Sequence, residues 1–82
     1  MPKYTEDFQL YNQPQELRSD CNSLTVVNVG TASAFINGLE IVPGAQYVIL
    51  GNENELNVTR YRLSFDNLGG TEAVKVIRKI YQ

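Results

Sequence analysis

The chain has 82 residues, seven Lys and Arg against nine Asp and Glu for a net charge of -2, 43% hydrophobic residues, no histidine and one cysteine. These totals describe a single globular domain near the size at which one core just suffices, and a neighbouring subunit that adds buried surface is expected to help it. They exclude a disulfide framework, since Cys21 has no partner within the chain, and the basic excess of a general nucleic-acid binder. No apolar run is long enough to span a bilayer and Met1 to Asp7 holds no apolar leader segment, so no membrane span and synthesis in a reducing cytoplasm are expected.

From Met1 to Asn22, Gln, Asn, Asp and Glu dominate, with Tyr4, Phe8, Leu10, Tyr11 and Leu17 scattered among them. This stretch reads as an extended N-terminal arm, leaving residues 23–82 as the β-domain. Phe8 to Tyr11 suits a short strand, and Pro14 suits the first residue of a helical turn through Leu17. The arm either packs back on its own domain or lies across a neighbour and orders there. On the second reading Tyr4, Phe8 and Tyr11 are the candidate contacts to another chain, and deleting Met1 to Asn22 leaves a folded domain that assembles less well.

Ser23 to Val29 is rich in β-branched residues and bounded by Gly30, which predicts a strand. Leu24 and Val26 fall on one face and Thr25, Val27 and Val29 on the other, so both faces are suited to burial or to a subunit contact. Asn37-Gly38 then separates two short apolar runs. A two-residue Asn-Gly loop predicts a type I′ hairpin, because that turn needs positive φ at both positions. The register follows, with Ile36 opposite Leu39, Phe35 opposite Glu40 and Ala34 opposite Ile41, and Ala34, Ile36, Leu39 and Ile41 share an apolar face. Pro43-Gly44 suits the middle of a type II turn, and Ala45 to Leu50 supplies the next strand before the polar turn at residues 51–55.

Leu56 to Phe65 is the longest strand candidate, but its alternation changes phase between Val58 and Tyr61. A bulge near Thr59-Arg60 would restore one inner face. After a turn from Asp66 to Gly70, the segment from Thr71 to Gln82 fits a helical stripe or a strand. A strand is preferred because every upstream segment is β and a short isolated helix is marginal. Five to six strands with short turns predict an all-β fold, a small antiparallel β-sandwich or barrel.

Catalysis finds little support: with no His, no H-E-x-x-H, no G-x-S-x-G and no phosphate-cradling glycine loop, the usual bases and nucleophiles are missing. Glu53 and Glu55, with Asn52, Asn54 and Asp66, offer oxygen ligands of the kind calcium takes, but without the order of an EF-hand, so no metal and no cofactor are assigned. Positive charge clusters in the second half, where Arg60 and Arg62 flank Tyr61, and Lys75, Arg78 and Lys79 precede Tyr81. Basic and aromatic side chains on adjacent strands are how an oligonucleotide-binding barrel holds a single strand. The competing reading is a solvated face whose charges discourage unwanted sheet pairing, and the acidic overall balance favours it over nucleic acid.

The order N-V-G-T-A-S-A-F-I-N-G-L-E-I-V-P-G, then Q-Y-V-I-L-G-N-E-N-E, V-T-R-Y-R-L-S-F and V-K-V-I-R-K-I-Y resembles small β-domain structural proteins of bacteriophages over Ser23 to Tyr81. The resemblance implies a virion component, a capsid accessory, vertex, spike-base or tail protein docked to other virion proteins, and the apolar faces of Ser23 to Val29 and Ala45 to Leu50 lead to the expectation of closed self-assembly as a trimer or pentamer. It carries no catalytic residues. A single-stranded nucleic-acid-binding module using Arg60, Tyr61, Arg62, Lys75 and Lys79 is the alternative.

Overall fold

The structure, a computed structural model, describes residues 3–52 and 54–81. Eight strands are present: β1 (Tyr4–Tyr11), β2 (Gln15–Arg18), β3 (Ser23–Asn28), β4 (Ala34–Ile36), β5 (Leu39–Ile41), β6 (Gln46–Ile49), β7 (Arg60–Phe65) and β8 (Val74–Tyr81). They form two antiparallel four-stranded sheets, one in the order β1-β8-β3-β6 and the other in the order β2-β7-β4-β5. Every connection except the β4–β5 hairpin changes sheet, so the chain weaves the sandwich shut along its length.

Alternation within the strands builds the core. Leu24, Val26, Val74 and Val76 from the first sheet meet Leu17, Ala34, Ile36, Ile41, Tyr61 and Leu63 from the second in one buried cluster. In β3 buried Leu24, Val26 and Asn28 alternate with half-buried Ser23, Thr25 and Val27, the period of two that a sheet requires. The molecule is elongated, 46 Å by 18 Å by 16 Å.

The strand count exceeds the expected five to six because residues 4–18 add two strands to the sandwich and do not extend from it as an arm. β1 pairs with β8 over its whole length, and β2 pairs with β7. Leu17 is 2% exposed and Ser19 and Cys21 are fully buried, so this stretch supplies part of the core. Pro14 precedes a strand, not a helical turn: β2 is short and docks along β7, and its i→i+3 bonds are replaced by ladder pairing. The strand reading of the last segment holds for Val74–Tyr81; Gln82 lies outside the described residues.

The Asn37-Gly38 hairpin has the expected register, with Ile36 opposite Leu39, Phe35 opposite Glu40 and Ala34 opposite Ile41. φ is 51° at Asn37 and 85° at Gly38, the positive values a type I′ turn needs. Ala34, Ile36 and Ile41 are buried, but Leu39 is 52% exposed, because β5 is the outer strand of its sheet and Leu39 sits at its end beside the turn. At Pro43-Gly44 the turn closes through Ala45 N–H donating to Val42 O at 2.9 Å, with Gly44 at φ 84°, as a type II turn demands.

The phase change before Tyr61 has another origin than a bulge. β7 begins at Arg60, and Leu56 and Val58 lie outside it, 62% and 65% exposed. Residues 57–59 instead border the segment from Ser19 to Cys21: Cys21 N–H donates to Asn57 O at 3.2 Å, Asn57 N–H donates to Cys21 O at 2.8 Å, and Ser19 N–H donates to Thr59 O at 3.1 Å. Cys21 and Asn57 form an isolated antiparallel bridge.

Candidate interaction surfaces

Two buried asparagines hold the ends of β3 and thereby fix where the sheet faces point. Asn28 is 1% exposed; its side-chain amide donates to Ala32 O and Ile41 O, both at 2.8 Å, and its Oδ1 accepts from Gly30 N–H at 3.0 Å. Because Ile41 belongs to β5, this one side chain ties the end of β3 in the first sheet to the second. At the other end Asn22 donates to Asn52 O at 3.0 Å and Glu55 O at 2.6 Å, and accepts from Tyr81 N–H at 2.8 Å. Satisfied buried amides of this kind specify one arrangement of the chain. Sequence reasoning missed both, since an Asn at the border of a strand reads first as a turn residue.

Arg78 is the third such pin. Its guanidinium is inward on β8, and the residue is 8% exposed. Nε donates to Arg18 O at 2.9 Å, Nη1 to Gln9 Oε1 at 3.0 Å and Nη2 to the Tyr11 hydroxyl at 3.3 Å, while Asp7 Oδ2 lies 3.6 Å from Nη1. The Tyr11 hydroxyl donates in turn to Gln9 Oε1. β1, β8 and β2 are therefore held together by one cation.

Three candidate contact residues were expected to act together, and the structure separates them by strand parity. On β1, Tyr4 and Phe8 point to the outer face of the first sheet, while Tyr11 packs against the core and meets Arg78. The register extends the outer face across the sheet: Phe8 stands beside Ile77, Ile77 beside Thr25, and Thr25 beside Val48. Leu10, beside Lys75, and Val27 form the next row. Phe8 is 57%, Leu10 60% and Val48 43% exposed, which makes an apolar band across all four strands. At the far end of β1 and β8, the Tyr4 and Tyr81 rings meet edge to face at 5.8 Å, with Lys79 Nζ 4.2 Å from the Tyr4 ring centre and 5.1 Å from that of Tyr81. The Lys79 ammonium is held above its ordinary pKa, chiefly through its side-chain hydrogen bond with Tyr81.

The five basic and aromatic residues of the nucleic-acid alternative do not share a face. Arg60 and Arg62 point outward from β7 in the second sheet and Tyr61, between them, is 8% exposed and inward; Lys75 and Lys79 lie on β8 in the first sheet. Buried Tyr61 offers no ring for stacking; its hydroxyl accepts from Asn57 Nδ2 at 3.2 Å. What the second sheet does present is a cationic strip, since Arg18 stands directly opposite Arg60 and Glu16 opposite Arg62. Glu16 bridges diagonally to Arg60 at 3.6 Å. A shallow groove of about 440 Å³ lies beside this strip, between Pro14 and Asn37.

Asn37 acts on β7 as well as in its own turn. Its N–H donates to Arg62 O at 3.0 Å and its Oδ1 accepts from Arg62 N–H at 2.8 Å, which continues the β4–β7 ladder by one side-chain rung. In the polar turn at residues 51–55, Glu55 Oε1 accepts from the backbone and side-chain amides of Asn52, at 3.2 and 2.6 Å, so this carboxylate is engaged in holding the turn. Glu53 lies outside the described residues. Cys21 is fully buried, and that burial pushes its thiol pKa up despite the nearby Arg78. A thiol that stays protonated is a poor nucleophile.

Comparison with protein-family models, with curated proteins and with solved structures finds no match for this chain.

Proposed function

We propose that this chain is a non-enzymatic structural protein of a bacteriophage virion, a capsid accessory, vertex, spike-base or tail component that acts by self-association and by docking to other virion proteins. The observation that carries the reading is the apolar band on the outer face of the first sheet, where Phe8, Leu10 and Val48 stand exposed beside half-buried Ile77 and Val27. A small sandwich gains stability by covering such a band, at roughly 25 cal/mol for each Å² of apolar surface removed from water. The turn pattern from Asn28 to Tyr81, which resembles small phage β-domain proteins, supplies the setting. A repeated subunit with one sticky face lets a short gene cover many equivalent positions in a particle.

Protein composition of purified particles tests this reading. The chain is expected in the particle at fixed stoichiometry, and its presence in infected cells but never in particles contradicts it. A titration against single-stranded DNA at two salt concentrations separates the nucleic-acid alternative, which requires tight, salt-sensitive binding. The separation of Arg60 and Arg62 from Lys75 and Lys79 across two sheets favours weak binding instead.

A further inference from the structure

Four strands end the two sheets: β1 and β6 in the first, β2 and β5 in the second. Three of these edges are blunt. β2 and β6 have four residues and β5 has three, with Pro14 just before β2 and Pro43 between β5 and β6. β1 is different: it has eight residues, pairs on one side only with β8, and contains no proline, glycine or lysine. Free edges that are not meant to pair are normally shortened, charged or interrupted. Seven of the eight residues of β1 are exposed, so its open backbone groups are accessible from both faces.

The two carboxylates of β1 do not guard the edge. Glu6 stands opposite Lys79 and Asp7 opposite Arg78, with Asp7 Oδ2 3.6 Å from the Arg78 guanidinium. Each acid thus has a cation of its own chain beside it, and the edge presents little net charge to an approaching strand.

We infer that the free edge of β1 is a two-fold interface at which a second copy of this chain adds its own β1, antiparallel, joining two four-stranded sheets into one. The sequence of β1 selects the register. A two-fold perpendicular to the sheet keeps outer residues outside, so the axis passes through a residue and opposite partners have the same parity. With the axis at Phe8, Phe8 faces Phe8 of the second copy, Asp7 faces Gln9, Glu6 faces Leu10 and Thr5 faces Tyr11. No carboxylate meets another, and the exposed Phe8 and Leu10 of both copies fuse the two apolar bands. With the axis at Asp7, two carboxylates meet directly, which opposes pairing, and with the axis at Gln9 the two strands overlap only from Asp7 to Tyr11 in place of Thr5 to Tyr11. A head-to-tail ring would set β1 against the four-residue β6 of the next copy and leave half of β1 bare. The edge lengths therefore favour a two-fold over the trimer or pentamer expected from the apolar strand faces.

This inference rests on the self-association part of the proposed function and names its interface. The test uses the full chain, with sedimentation and oxidative cross-linking. The wild type is expected to sediment as a dimer or an even multiple of it, and Phe8→Lys, at an exposed position, is expected to reduce the mass at least twofold with unchanged circular dichroism. Phe8→Cys is expected to cross-link to twice the chain mass under mild oxidation, because residues directly opposite lie within disulfide reach, whereas Asp7→Cys is not. A wild type that stays monomeric at millimolar concentration overturns both this interface and the self-association beneath it. An oligomer that Phe8→Lys leaves intact, or one whose Phe8→Cys form links only to a different protein in particles, overturns the β1 two-fold and leaves self-association standing. Cross-linking by Asp7→Cys in preference to Phe8→Cys likewise overturns the assigned axis.

Discussion

Arg78 Nε donates to the backbone oxygen of Arg18 at 2.9 Å, a bond from β8 of the first sheet to β2 of the second. Its remaining donors serve Gln9 and Tyr11 on β1. The guanidinium thus replaces, at one end of the sandwich, the apolar contacts that hold the centre. Arg78→Ala is expected to lower stability by about 3 kcal/mol, because it removes three part-buried hydrogen bonds at once. Asp7→Asn, at a side chain 48% exposed, is expected to cost less than about 1 kcal/mol, since solvent screens that pair. Urea denaturation of the two variants checks the ranking, and equal losses would show that the ion pair, not the fan of hydrogen bonds, is what Arg78 provides.

Deleting residues 1–22 is expected to abolish folding. It removes β1, β2 and the buried side chains of Leu17, Ser19 and Cys21, and it exposes the β7 edge that β2 covers. Circular dichroism of the truncated chain should show a disordered polypeptide. A cooperative thermal transition in that chain would restore the separable arm expected from composition.

At the hairpin, Gly38→Val is expected to destabilise by about 1 kcal/mol or more, because a β-branched residue resists the φ of 85° found there. Ile36→Asn is expected to be worse, by about 3 kcal/mol, since Ile36 is 3% exposed and the new amide has only apolar neighbours. Thermal melts order the two, and the reverse order would contradict the assigned inner face.

Asn28→Leu is expected to cost about 3 kcal/mol despite its similar size, because Ala32 O and Ile41 O lose the amide that donates to them in a buried setting, while Gly30 N–H keeps its bond to Ala73 O. Asn37→Ala should cost about 1 kcal/mol: it removes the side-chain rung to Arg62 at an exposed turn and leaves the backbone bond. Urea denaturation reads the first substitution, and hydrogen exchange at Arg62 reads the second.

Cys21 is expected to resist alkylation in the folded chain and to react at the rate of global unfolding, because the thiol is fully buried and its pKa is raised by that burial. The sign of the pH effect follows. The unfolded thiol ionises first as pH rises, so this contribution to stability is complete below the ordinary cysteine value and is lost in the alkaline range above it. Cys21→Ala should flatten that alkaline decline, and an unchanged slope would assign it to other groups.

What was legible in the sequence was the local chemistry. Asn37-Gly38 and Pro43-Gly44 announce their turns because only a few residue types accept their backbone angles, and β3 announces itself by β-branched density, whereas β8 also fits a helical stripe and is favoured as a strand by the β character of the segments before it. β1 was legible only as the short strand expected at Phe8 to Tyr11; its first half was hidden because an edge strand exposed on both faces shows no burial alternation and reads as a polar arm. Tyr4 and Phe8 part from Tyr11 by simple parity, but parity carries meaning only once the stretch is known to be a strand. The division of Arg60 and Arg62 from Lys75 and Lys79 depends on which sheet each strand joins, a matter of long-range pairing that no window of sequence contains. Asn22 and Arg78 were hidden for the same reason, since their partners lie far along the chain, whereas Asn28, whose partners are nearby, was hidden because nothing in its local sequence marks it as buried.

The proposed role of this sandwich is that of a repeated structural subunit in a phage particle, and quantitative mass spectrometry of purified particles is its test. The chain is expected at a fixed copy number relative to the other structural proteins, retained through density-gradient purification. Its absence from particles, with abundant chain in the infected cell, would contradict that role.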